Sequence, residues 1–260
     1  MYEIHTNIER QKIEALYLNG KFKFPFISSV TSALQNGRIF ANDLLRPSSY
    51  FICHDFGWSQ LVGTDPKFIE NLKKFIFEDE AFSSLKIRAF VPDVIHLKFF
   101  SEKADPAERC QFRLEKYEPL NSIPSRVQIK KINNKNMDQI DEIFGLDLFN
   151  RNWPSKSSFS RNSFGFFVTH NQKPVAICYS CASMDNVEEI DVYTLQESRG
   201  QGFATIACKA FIQECINLGK VPNWDCFTNN SGSMALARSL GFKEYLDPYP
   251  FYTYNRRAAK

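Results

Sequence analysis

The sequence predicts a mixed α/β (α+β) fold in which helices flank a mostly antiparallel sheet. Two apolar stretches, 163–170 and 174–183, are separated by a short polar turn, which is typical of an antiparallel hairpin. The strand predicted at 188–194 is followed by a helix at 202–217 and a strand at 223–228. Such a β-α-β crossover favours one parallel pair of strands beside the hairpin.

The remaining elements are placed by hydrophobic periodicity and by turn residues. They are a strand at 126–132, a helix at 134–149, a helix at 231–242 closed by Gly241, a terminal aromatic strand within 243–255, helices at 8–18 and 65–79, and a strand hairpin at 48–63. The hairpin at 48–63 resembles 162–180 in pattern, so we interpret the N-terminal half as an α/β domain and a candidate degenerate repeat of the second half. The proline-containing segment 118–126 predicts a boundary between domains at 1–120 and 125–260.

Composition narrows the possible partners. The chain has 260 residues, and its 32 basic and 29 acidic side chains are intermixed, which argues against a nucleic-acid binder. The N-terminal stretch lacks the apolar core of a signal peptide, and we expect no membrane-spanning segment. Seven scattered cysteines in apolar segments indicate buried thiols and a cytoplasmic location. We expect no metal, because Cys178 and Cys181 should point to opposite faces of a strand.

A glycine-rich turn separates the strand at 188–194 from the helix that follows it. Gly200 and Gly202 lie directly before the helix, whose N-terminal amide groups and partial positive charge attract a pyrophosphate. Gly202 removes a side chain from this approach, and Ala204 is a small residue that keeps the helix start open. The turn lacks the P-loop pattern, and Thr205 stands where a dinucleotide fingerprint needs its third glycine. A plain structural turn is the alternative.

Two motifs carry a resemblance to a known family. The segment from Arg199 to Ala204 resembles the R-x-x-G-x-[GA] signature of the GNAT (GCN5-related) N-acetyltransferases. The segment 229–242 resembles the last helix of that family, with Asn230, Ser233, Leu236, Gly241 and Phe242 in register. Ala237 stands where the family commonly has a tyrosine. More narrowly, 164–254 resembles the acetyltransferases named for zwittermicin A resistance, which also have an additional N-terminal region.

The resemblance implies an N-acetyltransferase that uses acetyl-CoA to acetylate a primary amine of a small molecule, as a monomer or homodimer. It assigns cofactor binding to Tyr193, Thr194, Arg199, Gly200, Gln201, Gly202, Phe203, Ala204, Thr205, Asn230 and Ser233. Backbone groups around Tyr193 and Thr194 would pair with the pantetheine amides like an added strand. The family's general acid has no obvious substitute, because Tyr245, Tyr249, Tyr252 and Tyr254 are all possible. A protein acceptor and a catalytically silent CoA-binding module are the alternative functions.

The strand before the turn supplies candidate catalytic acids. Strand alternation places Glu189, Asp191 and Tyr193 on one face, and it places Glu188 with two apolar residues on the opposite face. A carboxylate can accept the proton of an attacking amine. We therefore predict Glu189 as the general base and Asp191 as its helper or as the substrate anchor. Glu188 matches the acid of some relatives, and a merely solvated strand face is the alternative interpretation.

Overall fold

The computed structural model describes residues 1–79, 86–145 and 147–255, which divide into two compact units. The first unit comprises Met1–Arg109 together with the chain from Pro248 onward, and the second unit comprises Cys110–Asp247. The chain therefore leaves the first unit, builds the second unit, and returns. None of the helices in the described ranges combines the length and apolar character that a bilayer span requires.

The first unit is a mixed α/β structure with a mostly antiparallel sheet. Its described elements, in chain order, are β1 (Tyr2–Glu3), α1 (Asn7–Leu18), α2 (Pro25–Thr31), β2 (Gly37–Ala41), β3 (Tyr50–His54), β4 (Trp58–Val62), α3 (Pro66–Phe77), β5 (Lys86–Phe90), α4 (Leu97–Ser101) and the start of β6 (Asp105–Leu114). Strands β1 to β4 are antiparallel neighbours, whereas β4 and β5 are parallel. The final strand of the chain pairs with β5 and with the start of β6.

The second unit has the same class of fold. Its described elements are the end of β6, then β7 (Val127–Lys131), α5 (Met137–Phe144), α6 (Leu148–Asn152), α7 (Lys156–Asn162), β8 (Gly165–His170), β9 (Lys173–Met184), β10 (Val187–Thr194), α8 (Phe203–Asn217), β11 (Val221–Phe227), α9 (Ser231–Ser239) and β12 (Phe242–Glu244). The chain then returns to the first unit as β13 (Tyr249–Asn255). The predicted mixed fold, with a mostly antiparallel sheet and flanking helices, is confirmed.

Strand pairing in the second unit creates a gap beside β10. Strands β7, β8, β9 and β10 are successive antiparallel neighbours. Strand β10 pairs in parallel with β11 from Val187 to Glu189, opposite Val221 to Asn223, although β10 continues to Thr194 and β11 to Phe227. The register with β9 shifts between Glu189 and Ile190, at the same level. Beyond Glu189, the edge of β10 that faces β11 therefore has no paired strand among the described residues.

Helix α8 and the strands share one hydrophobic core in the second unit. The buried residues of α8 recur at spacings of three and four, from Phe203 through Phe211 to Cys215, and they pack with Cys178 and Ile190 of the sheet. This spacing produces one apolar face on the helix, so burial of that face fixes α8 against the sheet. The shared core therefore fixes α8 against the sheet that contains β10.

The two units share one succession of elements. In each, a strand and a helical segment precede three antiparallel strands, which are followed by a helix and by a strand parallel to the third of them. In the first unit the helix is α3, and in the second it is α8. The junction between β4 and α3 is thus the topological counterpart of the glycine-rich turn between β10 and α8.

The bounds of one predicted helix and the predicted domain limits differ from what the structure shows. The predicted helix 134–149 is interrupted, because Gly145 adopts the left-handed conformation and ends α5 at Phe144. The predicted limits 1–120 and 125–260 do not coincide with the compact units, because β13 pairs within the first unit. Strand pairing of distant segments is not encoded in local periodicity, which explains this difference.

We expect Gly241→Ala to destabilise the chain by about 3 kcal/mol, because Gly241 combines a positive φ of 90° with a contact to backbone. A Cβ there would lie 1.8 Å from the carbonyl oxygen of Lys116. Gly219 is the matched control, since its φ is 66° and its Cβ would have no described neighbour within 4 Å. Gly219→Ala should therefore cost about 1 kcal/mol. Urea unfolding measures both losses, and equal losses would contradict the steric explanation.

Candidate functional site

The glycine-rich turn connects β10 to α8 through a short 3₁₀ turn at Gln196–Ser198. Gly200 and Gly202 have φ angles of 74° and 80°, which are in the left-handed region that favours glycine. A Cβ at either position would have no described atom within 4 Å. The backbone conformation therefore requires these glycines, while the space beside them is open enough for a ligand to approach the main chain.

The backbone amides of this turn point to an anion site. Within the described ranges, the N–H groups of residues 200–205 donate to no protein acceptor. Gly202 is the N-cap of α8 and provides no side-chain cap. Six successive unsatisfied donors at the positive end of a 15-residue helix are suited to phosphate oxygens. The residues predicted to bind the cofactor at 199–205 are thus brought together by the fold.

Side chains of the turn hold its backbone. The Nε atom of Arg199 donates to the carbonyl oxygen of Thr194 at 3.3 Å, and the Nε2 atom of Gln201 donates to the carbonyl oxygen of Glu197 at 3.3 Å. The ring of Tyr193 contacts the ring of Phe144, with 5.8 Å between the centroids. The ring of Tyr193 is thus held against α5, while its backbone lies on β10 beyond the residues that pair with β11.

Asn230 and Ser233 organise the start of α9. Asn230 is the N-cap of this helix, and its Oδ1 atom accepts a hydrogen bond from the amide of Ser233 at 3.0 Å. The hydroxyl of Ser233 accepts a hydrogen bond from Nε1 of Trp224 on β11 at 3.1 Å. Helices α8 and α9 both pack against β11. These contacts give both predicted cofactor residues a structural role, and their role in binding remains a prediction.

Glu188 is a buried structural acid. Its side chain has no exposed surface, and its carboxylate accepts from the ammonium group of Lys220 and from the hydroxyl of Ser180. Burial of a carboxylate in an apolar core destabilises the folded state unless the carboxylate is paired and hydrogen-bonded. Both conditions hold for Glu188. Glu188 therefore anchors β10 to the segment after α8.

Glu189 lies at the last paired position of β10, where the gap to β11 begins. It is 4% exposed, and its Oε2 atom accepts a hydrogen bond from the side-chain amide of Asn223, its register partner on β11. Alternation along β10 places Glu189 on the face of Asp191, opposite Glu188. The predicted base is thus located where the two strands separate.

Asp191 is held by a cation and a hydroxyl. Its Oδ2 atom accepts from an Arg151 guanidinium nitrogen at 2.6 Å and from the Tyr179 hydroxyl at 2.7 Å. Burial raises the pKa of Tyr179 well above its usual value, and the charge of Asp191 adds to this shift, so Tyr179 stays a donor. Arg151 thus balances the charge of Asp191, and its role as helper of the base or as substrate anchor stays a prediction.

Sequence reasoning missed Arg151, Tyr179, Asn223 and Lys220. Arg151 belongs to the short helix α6, which the sequence merged with the preceding helix, and no local pattern links it to β10. Asn223 could have been found, because a β-α-β unit places its two strands side by side. Its exact register opposite Glu189 requires the structure.

The family tyrosine is replaced by a residue buried in the core. Ala237 has no exposed surface and packs in the cluster around α8, so this position has no room for a larger ring without rearrangement. Of the four candidate tyrosines, Tyr245 belongs to the second unit, where its hydroxyl donates to Oε1 of Gln111 at 2.7 Å. Burial raises the pKa of Tyr245, and the charges of Asp225 and Glu189 add to this effect.

Comparison with known proteins identifies the family. The GNAT acetyltransferase family model matches residues 17–252, which is most of the chain. The chain therefore belongs to the GNAT acetyltransferase family, and the enzyme class inferred from the two motifs, an acyltransferase, is confirmed.

Similar proteins agree with this family. The chain is 28% identical over 237 residues to the uncharacterized N-acetyltransferase YdfB of Bacillus subtilis (strain 168), covering 88% of this chain and 90% of that protein. A GCN5-related N-acetyltransferase-like protein from Streptococcus suis 89/1591 has a TM-score of 0.69 and 19% identity, covering 95% of this chain and 99% of that one. A tandem GNAT protein from the clavulanic acid biosynthesis pathway has a TM-score of 0.65 and 11% identity, covering 96% and 95%.

We expect Glu188→Gln to destabilise the chain by about 2 kcal/mol, because it leaves Lys220 without its buried counter-charge. The loss is moderated because the Lys220 side chain is 28% exposed and can reach water. Glu244→Gln is the matched control, since Glu244 pairs with Arg238 at the surface and should lose less than about 1 kcal/mol. Urea unfolding compares the two, and similar losses would refute the anchoring role of Glu188.

Proposed function

We propose that the chain transfers an acetyl group from acetyl-CoA to a primary amine of a small molecule. One observation carries this proposal, namely the six backbone N–H groups of residues 200–205 that have no acceptor among the described residues. A diphosphate supplies the several acceptor oxygens that these donors require. Gly200 and Gly202 fit this group, because each leaves open space where another residue would place a side chain.

The edge of β10 offers a second element of recognition. Between Glu189 and Thr194 this edge has no described strand partner on the side of β11, so its amide and carbonyl groups can pair with an extended ligand. The pantetheine arm of CoA contains two amides and could bind there as an added strand. This arrangement would direct the thioester toward the separation of β10 and β11, where Glu189 lies.

Glu189 is the proposed general base. Transfer forms a bond between the amine nitrogen and the acetyl carbon, breaks the carbon–sulfur bond, and releases a proton from nitrogen. Glu189 would accept this proton, while the amide of Asn223 orients its carboxylate. A backbone N–H of β10 beyond the register shift would donate to the carbonyl oxygen of the acetyl group.

Asp191 and Tyr245 complete the proposal. We assign Asp191 to positioning Arg151 instead of holding the acceptor, because the two side chains form an ion pair at 2.6 Å. Tyr245 is the candidate donor of a proton to the departing sulfur, since it belongs to the same unit as Glu189 and its pKa responds to the charge of that residue. Both assignments refine the roles that sequence reasoning left open.

We further propose that the first unit is a diverged copy that does not bind acetyl-CoA. Its helix α3 is the counterpart of α8, but Asp65 caps this helix by accepting from the amide of Phe68 at 2.7 Å. Pro66 occupies the first helical turn and has no N–H to donate. The start of α3 is thus both sealed and acidic, which opposes binding of a diphosphate, so we expect one acetyl-CoA per chain.

The finer classification also stays a proposal. The motifs at 164–254 support membership of the subfamily named for zwittermicin A resistance, and the amine acceptor would then be an antibiotic or a metabolite. All seven cysteines are buried, which supports a reducing, cytoplasmic setting. A silent acetyl-CoA-binding module is the second candidate, because buried Ala237 replaces the family tyrosine.

Gly202→Ala should weaken acetyl-CoA binding at least about tenfold, because its methyl group would enter the space beside the amide donors. Gly219→Ala is the control, since Gly219 lies past the opposite end of α8 and also has a positive φ with open space around it. Calorimetric titration should give one site per chain and unchanged affinity for the control variant. Equal affinity in both variants would contradict the proposed site, and binding of two molecules would contradict the proposal that the first unit does not bind acetyl-CoA.

Glu189→Gln should reduce the rate constant for acetyl transfer about a hundredfold or more, because the amide cannot accept the proton. Its affinity for acetyl-CoA should be unchanged, since the turn at 200–205 is untouched. Glu118→Gln is the control, because Glu118 is 69% exposed. Thiol release with a library of small amines and with lysine-containing peptides measures turnover and distinguishes the two acceptor classes.

Normal turnover in Glu189→Gln would remove this residue from the mechanism while leaving the acetyl-CoA site intact. Tight acetyl-CoA binding without turnover of any amine or peptide would favour the silent binding module. Failure of acetyl-CoA to bind the unmodified chain would overturn the proposed function itself.

A further inference from the structure

A cavity of about 130 Å³ lies within the first unit, where β4 ends before α3. Its lining combines residues of β3 and β4 with the segment after α1 and the segment after β5. This is the counterpart, in the first unit, of the place where β10 ends before α8 in the second. The sealed start of α3 excludes a diphosphate, but the cavity beside it is still large enough for a small molecule.

One buried donor in the cavity is available to a ligand. Tyr50 is only 4% exposed, and its hydroxyl has no hydrogen-bond partner in the part of the chain that the structure describes. Burial raises the pKa of Tyr50 to about 12, so the hydroxyl stays protonated. The Tyr50 hydroxyl is not among the fully buried side-chain atoms without a partner in the described residues, so it stays accessible and a ligand oxygen can accept its hydrogen bond.

The neighbouring polar groups are already paired. The Tyr17 hydroxyl donates to Oε1 of Gln60 at 2.8 Å, and Nε2 of His96 lies 2.8 Å from the carbonyl oxygen of Gly63. These contacts fix the shape of the wall. They also leave Tyr50 as the hydroxyl that can donate into the cavity.

Two opposite charges line the same cavity. Lys21 provides an ammonium group, which lies 4.8 Å from the centroid of the Phe22 ring. Asp93 provides a carboxylate, which accepts a weak bond from the amide of Ile95 at 3.3 Å. The lining thus carries one positively charged side chain, Lys21, and one negatively charged side chain, Asp93. A ligand with both a carboxylate and an ammonium group would complement them.

We propose that this cavity binds a small zwitterionic amino acid, with its carboxylate toward Tyr50 and Lys21 and its ammonium group toward Asp93. A cavity of about 150 Å³ holds benzene, so about 130 Å³ suits a ligand of about six non-hydrogen atoms, such as glycine or alanine. This site is separate from the proposed acetyl-CoA site and does not depend on it. It gives the first unit a binding role of its own.

NMR titration of the full chain with glycine and L-alanine tests this proposal. We expect saturable shifts of the backbone amides of Gly63 and His96. Tyr50→Phe removes only the hydroxyl and should weaken binding about tenfold. Tyr2→Phe is the matched control, because Tyr2 is 52% exposed and lies outside the cavity. Acetate and methylamine, each with one of the two charges, should bind at least about tenfold more weakly than glycine.

Three results would overturn the proposal. They are the absence of saturable shifts with either amino acid, equal affinity in Tyr50→Phe, and binding of acetate or methylamine as tightly as glycine. If Tyr50→Phe does not fold, Lys21→Gln replaces it, because Lys21 is exposed and its substitution leaves the core intact. Unchanged glycine affinity in that variant would equally contradict the proposed site.

Discussion

The candidate site depends on the early separation of two parallel strands. Strands β10 and β11 pair from Val187 to Glu189 and not beyond, so in the described part of the chain the last five residues of β10 keep one edge of unpaired backbone. Buried backbone groups are normally paired, and a long unpaired edge inside a sheet is therefore unfavourable unless a ligand completes it. The same separation places Glu189 at the point of divergence, and it lets β10 lead directly into the glycine-rich turn.

Capping of the helices supports a ligand at the start of α8. Among the described helices of nine or more residues, α1, α3 and α9 have side-chain caps from Thr6, Asp65 and Asn230. The longest of this group, α8, starts at Gly202 and has none. A side-chain cap stabilises a helix by about 1 kcal/mol. The chain forgoes this stabilisation at one long helix, where the glycines also open the space in front of the amides, and a bound anion would compensate for the missing cap.

Local sequence patterns determined what could be predicted. The hairpin of β8 and β9, the glycine-rich turn and helix α8 follow from periodicity and from residues that tolerate positive φ. The partners of Asp191 could not be predicted, because Arg151 is 40 residues away in sequence and on a helix with no distinctive motif. The return of β13 to the first unit could not be predicted either, because the pattern of a strand does not specify which strand pairs with it. Long-range pairing therefore explains why the sequence alone did not give the compact units or the partners of the acids.

The three acids of β10 show how one short strand can serve two purposes. A carboxylate that contacts a cation and a hydroxyl donor has its charge and its hydrogen-bonding capacity satisfied within the fold. Lys220 contacts Glu188 and Arg151 contacts Asp191, and each of these pairs also includes a hydroxyl donor. In the proposed mechanism both acids therefore serve as structural anchors, one on each face of the strand. The side-chain amide of Asn223 donates to the Glu189 carboxylate and orients it. Because the two other acids tie β10 to its surroundings from opposite faces, they hold Glu189 in place where the pairing with β11 ends, as the proposed role of general base requires.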